Sequence, residues 1–170
     1  MSEENVDDSV LLTWLAEALW RFPRVRTAAW PVIPAAVSRR LLPVVFRRGY
    51  VDFNWLGSVS SSNFADDFEL YQAAEVLGTV GTFRGAGALD QVIAELREAF
   101  DDVRFRPEAL TEIEAERFLM IVRFSGTGRG SGVKVDRLIA HVWTMRGPLM
   151  ARLETYWDPA EALEAAGLSE

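Results

Sequence analysis

The sequence predicts an α+β domain in which helices come first and an antiparallel sheet follows. Three consecutive apolar segments, residues 116–125, 133–146 and 149–158, are separated by links that carry glycine or proline. Their β-branched and aromatic content predicts strands joined as hairpins. Residues 8–22 and 89–100 instead place apolar side chains at helical spacing. At 170 residues, the chain has the length of a single domain.

The N-terminal part is predicted to be mainly helical. A first helix is expected over residues 8–22, where four apolar residues share one face: Leu11, Leu15, Leu19 and Phe22. Pro23 should end it, and the chain up to residue 34 is expected to be irregular. A second helix is predicted over residues 35–56, broken or restarted near Pro43. Residues 58–63 are expected to form a loop or a very short helix.

The rest of the chain alternates strands with one long helix. Residues 68–75 are predicted to form a strand, followed by a link punctuated by glycine. The next segment has the clearest helical spacing in the chain, through Leu89, Val92, Ile93, Leu96 and Phe100. A strand over residues 103–113 then precedes the three strands named above. Asp158 and Pro159 predict the start of a short last helix, and Gly167 predicts its end.

The predicted sheet is apolar on both faces. Alternate side chains of a strand point to opposite sides, so residues 133–146 present two sets. One set is Leu138, Ala140, Val142 and Thr144, and the other is Ile139, His141, Trp143 and Met145. Both faces therefore need a cover. One face should cover helices or a pocket, and the other should meet more of this chain or another copy of it.

Composition excludes several classes of function. The chain has no cysteine and one histidine, which excludes disulfides, thiol nucleophiles and a multi-histidine metal site. The net charge of −7 argues against a general role in binding nucleic acid or anionic membranes. The acidic start is unlike a secretory signal, so we expect a cytoplasmic protein.

The early apolar segments are too short to span a membrane. They do not approach the roughly 20 uninterrupted apolar residues that a spanning helix needs, so no membrane span is expected. Attachment of residues 10–46 to a membrane surface stays open, because several arginines flank aliphatic residues: Arg39, Arg40, Arg47 and Arg48. A helical cover for the sheet is the favoured interpretation of this segment.

Four segments together resemble SnoaL-like proteins of the nuclear transport factor 2-like superfamily, which includes ketosteroid isomerase and limonene epoxide hydrolase. They are RRGYVDFN, FADDFELYQ, GTFRG leading into LDQVIAELREAFDD, and AHVWTMRGPLMARLETYWDPAEALEAAGL. The resemblance implies a cone-shaped fold whose curved antiparallel sheet wraps around helices. It covers residues 43–170 as a SnoaL-like domain and leaves residues 1–42 as an extra N-terminal helical segment. It also implies a homodimer packed through the outer face of the sheet.

The same resemblance argues against the superfamily's known acid–base chemistry. The carboxylate base of the isomerase corresponds to Gln72, and its protonated aspartate corresponds to Ala140. Its tyrosine falls near Gly49, one residue from Tyr50. The aspartate of the hydrolases and cyclases corresponds to Thr155. We therefore predict no catalytic residue at the family positions, and no cofactor or metal.

What remains is a predicted pocket for a small hydrophobic molecule. By the resemblance, its residues are Tyr50, Phe53, Gln72, Leu138, Ala140, Val142, Leu153, Thr155 and Trp157. His141 is expected on the outer face, in a structural or interface role. Asp66 and Asp67 are expected to serve as turn and capping residues. Arg117 and Arg123 are expected to pair across the sheet with Glu112 or Glu154, and contact with an anionic ligand stays open as the alternative.

Three alternatives to ligand binding stay open. The same residues would also fill a closed core. An enzyme with a relocated site, a cyclase, hydrolase or isomerase acting on a polyketide- or steroid-like molecule, would use Tyr50, Gln72 and Thr155 to orient water. A structural protein would dock elsewhere through residues 8–22 and 39–48.

Overall fold

A computed structural model describes residues 8–73, 81–85 and 87–168. The helices are α1 (Asp8–Arg21), α2 (Pro23–Ala29), α3 (Ala35–Leu56), α4 (Ala88–Ala99) and α5 (Pro159–Ala165), with 3-10 turns at Trp30–Val32 and Ser61–Asn63. The strands are β1 (Phe64–Gln72), β2 (Gly81–Arg84), β3 (Phe100–Glu114), β4 (Arg117–Gly128), β5 (Lys134–Arg146) and β6 (Leu149–Tyr156). The predicted α+β class is confirmed.

The strands form one curved sheet in the order β2-β1-β6-β5-β4-β3. The long hairpins β3-β4, β4-β5 and β5-β6 are antiparallel, as predicted. Strand β1 runs parallel to β6, so the sheet is mixed. The chain passes through β2, α4 and three strands between β1 and β6, and a connection of that length allows a parallel pair.

Helix boundaries differ from the prediction at two prolines. Helix α3 runs through Pro43 without a break, so the predicted interruption is wrong. The buried face of α3 extends from Leu41 to Phe53, and packing along that length offsets the loss of one backbone hydrogen bond. Pro23 begins α2 instead of leading into an irregular segment, because proline fits the first turn of a helix. Residues 74 and 75 of the predicted first strand lie outside the described residues.

The core lies between the concave face of the sheet and the helices. Phe46 of α3 packs against Phe118 and Trp143, with ring centroids 5.5 and 5.9 Å apart. On the outer face, α5 covers a second, smaller cluster around Ala140, Val142 and Ala162. Both faces of β5 are therefore covered, as predicted, and α5 supplies part of the cover on the outer face.

Strand β5 presents the opposite face to the helices from the one predicted. Its register pairs His141 with Thr155 and Trp143 with Leu153, and cross-strand partners share one side of a sheet. His141 therefore joins Thr155 on the concave side, and the expected outer position of His141 is wrong. Ala140 and Val142 lie on the outer side.

The N-terminal helices are packed onto the rest of the fold. The indole Nε1 of Trp20 donates a hydrogen bond to Asp52 Oδ2 at 2.6 Å. A Cβ at Gly49 would lie 3.3 Å from the Trp20 ring, so a glycine there permits close approach of α1 and α3. Helix α3 itself extends across residue 42, and the division of the chain at that residue stays a prediction. In the part of the chain that is described, no helix is long and apolar enough to cross a membrane.

Candidate functional site

A cavity of about 120 Å³ lies between the concave face of the sheet and helices α3 and α4. Its walls are almost entirely apolar. Helix α3 contributes Phe46 and Phe53, and α4 contributes Val92 and Leu96. These residues face inward because the apolar spacing of each helix turns one stripe toward the sheet.

Three polar side chains form a hydrogen-bonded chain in the cavity wall. The hydroxyl of Tyr50 on α3 lies 2.5 Å from Nδ1 of His141 on β5. The indole Nε1 of Trp143 donates to the same hydroxyl at 3.2 Å. The three residues are buried, and the Tyr50 and His141 rings stack with centroids 5.8 Å apart.

The donor and acceptor in each of these hydrogen bonds are assigned from the protons and lone pairs that each group carries. An indole N–H can only donate, so the Tyr50 oxygen accepts from Trp143. Among the described residues, Nδ1 of His141 is the remaining partner of this hydroxyl, so we assign the Tyr50 O–H as the donor and Nδ1 as the unprotonated acceptor. A neutral imidazole of this kind carries its proton on Nε2. We assign this tautomer from the hydrogen-bond network.

Burial keeps Tyr50 and His141, the two titratable groups of this hydrogen-bonded network, neutral. It lowers the pKa of His141 to about 4, because the imidazolium is poorly solvated inside the protein. It also raises the pKa of the Tyr50 hydroxyl well above its usual range, an effect that the hydrogen bond from Trp143 partly opposes. At neutral pH the wall therefore offers hydrogen-bonding groups without charge.

Six of the nine predicted pocket residues line this cavity: Tyr50, Phe53, Gln72, Leu153, Thr155 and Trp157. The other three, Leu138, Ala140 and Val142, do not. Ala140 and Val142 pack in the outer cluster with α5, and Leu138 is 39% exposed. The reason is the register of β5, which turns its even-numbered residues away from the helices.

The prediction also missed residues that the structure brings to the site. Ile139, His141 and Trp143 come from β5, and Phe105 and Phe124 come from neighbouring strands. Side-chain size was the available signal. In β5 the small Ala140 alternates with the larger Ile139, His141 and Trp143. A small residue suits the outer face, which α5 covers closely, and the larger residues suit the face that lines a cavity.

The carboxylates of the described residues lie outside the cavity. Among the residues that the structure describes, no aspartate or glutamate lines it. Glu154 faces the outer side, where it lies 3.6 Å from Arg117 and accepts from the Tyr156 hydroxyl. Asp67 is exposed and pairs with Arg146 at 2.8 Å. The described wall of the cavity therefore offers no carboxylate base.

The expected ion pairs are found in part. The prediction that Arg117 pairs with Glu154 is confirmed. Arg123 pairs instead with Glu108 and Asp136, which flank it on adjacent strands, so its predicted partners are wrong. The described residues contain no group of three histidine, cysteine, aspartate or glutamate side chains suited to a metal ion.

Comparison with known sequences gave no match to a protein-family model and no match to a curated protein. Solved structures do match. TerC, co-crystallised with polyporic acid, is 20% identical, and the match covers 70% of this chain and 92% of TerC with a TM-score of 0.55. A ketosteroid isomerase-like hypothetical protein from Catenulispora acidiphila, in complex with trimethylamine, is 15% identical over 72% of this chain and 92% of that chain, with a TM-score of 0.55.

A third similar structure extends the likeness to the cyclases. It is a candidate SnoaL-like polyketide cyclase from Jannaschia, 17% identical, with 74% of this chain and 90% of that chain covered and a TM-score of 0.54. Identities this low show the fold and nothing finer. The chain thus has the nuclear transport factor 2-like cone fold that SnoaL-like and ketosteroid isomerase-like proteins share.

Proposed function

We propose that this protein binds a small, uncharged, largely apolar molecule in the cavity between the sheet and helices α3 and α4. The observation that carries the proposal is an apolar cavity whose wall holds a neutral hydrogen-bonding pair, Tyr50 and His141. Ligand sites commonly combine an apolar lining with a few placed polar groups. Small molecules bound to TerC and to the Catenulispora protein support a similar use of this fold.

The size of the cavity limits the ligand. At about 120 Å³ it is close to the roughly 150 Å³ that accommodates benzene in an engineered protein cavity. A single-ring compound therefore fits, whereas a steroid or a multi-ring polyketide requires the walls to move. An ionic ligand is disfavoured because no described carboxylate or arginine lines the cavity to balance its charge.

Nε2 of His141 is the donor that we propose for the ligand. Nδ1 is engaged by the Tyr50 hydroxyl, and the assigned tautomer leaves an N–H on the other ring nitrogen. A carbonyl or ether oxygen would accept from it.

Homodimer formation through the outer sheet face and a cytoplasmic location stay predictions from the sequence.

A binding assay with one filling variant tests the proposal. Val92→Phe places a larger side chain in the cavity wall, and Leu138→Phe makes a similar change on the outer face. We expect calorimetry with a panel of neutral single-ring ketones and ethers to detect a ligand for the wild type and for Leu138→Phe. Val92→Phe should lose that binding. Binding that survives Val92→Phe, or that Leu138→Phe abolishes, contradicts the proposed site.

A second candidate function is electrophilic catalysis by His141. It is favoured by one observation, which is that the imidazole lies in the cavity wall and is oriented by Tyr50. In the assigned tautomer the neutral ring presents its Nε2 N–H, so it would stabilise negative charge that develops on a ligand oxygen. Turnover of a bound ligand that is lost in His141→Gln while binding persists would support this function. Unchanged turnover in that variant would exclude it.

A further inference from the structure

Helix α1 carries apolar side chains on two of its faces. One face packs into the core through Ala16, Leu19 and Trp20. The other exposes Leu11, Trp14 and Leu15, and Trp14 is 73% exposed. A helix that merely covers a sheet has a polar outer face, so this second stripe is not explained by packing.

The exposed stripe continues beyond α1. Phe22 follows Leu11 and Leu15 at helical spacing and is 55% exposed, and Val25 of α2 is 57% exposed. We call the set Leu11, Trp14, Leu15, Phe22 and Val25 the α1–α2 stripe. Contiguous exposed apolar side chains of this size mark a surface that contacts something else.

Positive charge lies at one end of the stripe, although the net charge of the protein is −7. Glu17 is an exposed acidic residue of the same helix. Arg21 and Arg24 are interleaved with the stripe, and both are exposed. Neither makes an ion pair within the described residues, whereas arginines of the sheet such as Arg146 and Arg152 pair with carboxylates.

We propose that the α1–α2 stripe docks on an anionic lipid surface. Aromatic and leucine side chains partition into the boundary between headgroups and acyl chains, and neighbouring arginines bind the lipid phosphates. The combination of Trp14 and Phe22 with unpaired Arg21 and Arg24 meets both requirements. The attachment is peripheral, since the described helices are too short or too polar to span a bilayer.

This inference does not depend on a ligand in the cavity. The first measurement is co-sedimentation of the full-length protein with two kinds of vesicle, one of mixed phosphatidylcholine and phosphatidylglycerol and one of phosphatidylcholine alone. The protein should bind the mixed vesicles and not the neutral ones. High salt should weaken binding, because it screens the arginines.

Two variants test the two parts of the surface. Trp14→Ser should lower the partition coefficient on mixed vesicles about tenfold, since an exposed tryptophan is lost from the interface. Arg21→Gln with Arg24→Gln should lower it about fivefold for each arginine removed. Each of these variants has a matched control in the sheet or its hairpins, away from the stripe. Val133→Ser replaces an apolar residue that is 61% exposed in the β4–β5 hairpin, and Arg104→Gln removes an exposed arginine that pairs with no described carboxylate.

The controls should bind as the wild type does, and circular dichroism should show that each variant is folded. Failure of the wild type to bind mixed vesicles overturns the proposal. Equal binding by Trp14→Ser and the wild type also overturns it. If Trp14→Ser instead changes the mass measured by analytical ultracentrifugation, the stripe is a contact between copies of this chain.

Discussion

Tyr50 connects the functional site to the stability of the fold. Its hydroxyl is the acceptor for Trp143 and the donor to His141, and these groups are buried. One oxygen atom therefore satisfies two polar groups that water does not reach. The same oxygen also fixes which nitrogen of His141 carries the proton.

Replacing Tyr50 with phenylalanine should destabilise the protein although it keeps the ring. Two buried polar groups lose their partner, and leaving such groups unsatisfied costs about 1–3 kcal/mol. Urea denaturation of Tyr50→Phe should show a loss in that range. Tyr71→Phe is the control, since its hydroxyl makes no hydrogen bond among the described residues. Equal effects of the two changes would show that the Tyr50 hydroxyl is not part of a buried network.

The stability of the protein should depend on pH through His141. Burial lowers its pKa to about 4 in the folded state, whereas an unperturbed histidine titrates near 6.5. Between these values the unfolded chain binds more protons than the folded one, so stability falls as pH drops from about 6.5 toward about 4. The complete loss is of order 3 kcal/mol, and above about pH 6.5 the contribution is fully present.

The measurement is the free energy of unfolding of wild type and His141→Gln from about pH 7 to pH 5, a range above most carboxylate titrations. The wild type should lose stability across this range, and the variant should lose less. Parallel curves for the two proteins would mean that His141 titrates normally in the folded state.

Among the elements, β5 shows what the sequence cannot decide. Both of its faces are apolar, so alternation identifies two sets of residues without saying which set faces the helices. The resemblance placed Ala140 on the concave side, and the observed pairing of His141 with Thr155 reverses that choice. A shift of one position exchanges the two faces completely. That is why the helix-borne residues Tyr50 and Phe53 line the cavity as expected and Leu138, Ala140 and Val142 of β5 do not.

Helix α2 is tied to the fold by a buried arginine that sequence analysis did not identify. Arg26 is 1% exposed, and its Nη1 donates to Asn63 Oδ1 at 2.7 Å. Its Nη2 lies 3.4 Å from the carbonyl oxygen of Ser62, and Trp20 lies beneath the guanidinium. Burial lowers the pKa of Arg26, and no described carboxylate pairs with it. Because an arginine usually indicates a surface position, no pattern in the sequence marked this one.

Asn63→Leu should therefore be more harmful than removal of both partners. The single change leaves a buried guanidinium without its main acceptor, which costs about 3 kcal/mol. The double variant Arg26→Met with Asn63→Leu replaces the polar pair with apolar groups and should recover part of that loss. Chemical denaturation of the single and double variants measures the difference. A double variant less stable than Asn63→Leu would show that the pair itself stabilises α2.

At the scale of the whole molecule, the curved sheet and its helices create a cavity from residues far apart in the chain. The hairpins of β3 to β6, helix α4 and the fold class were predictable because apolar periodicity and turn residues are local signals. The start of β1 at Phe64 and the continuity of α3 at Pro43 were not. The volume of the cavity was not predictable either, since it depends on how α3 and α4 sit against β5 and β6. The exposed stripe within residues 8–34 was also not predictable, because it is apparent only once the packed face of α1 is known.

The central claim is that a small neutral ligand occupies this cavity and contacts His141. Because the chain contains a single histidine, ¹⁵N NMR of histidine-labelled protein reports on this one imidazole. We expect a neutral ring with the proton on Nε2 at neutral pH, and a shift of the Nε2 resonance when a single-ring ligand binds the wild type but not Val92→Phe. The account would be contradicted by an imidazole that titrates near pH 6.5. It would also be contradicted if the imidazole resonances did not shift when calorimetry shows that a ligand binds.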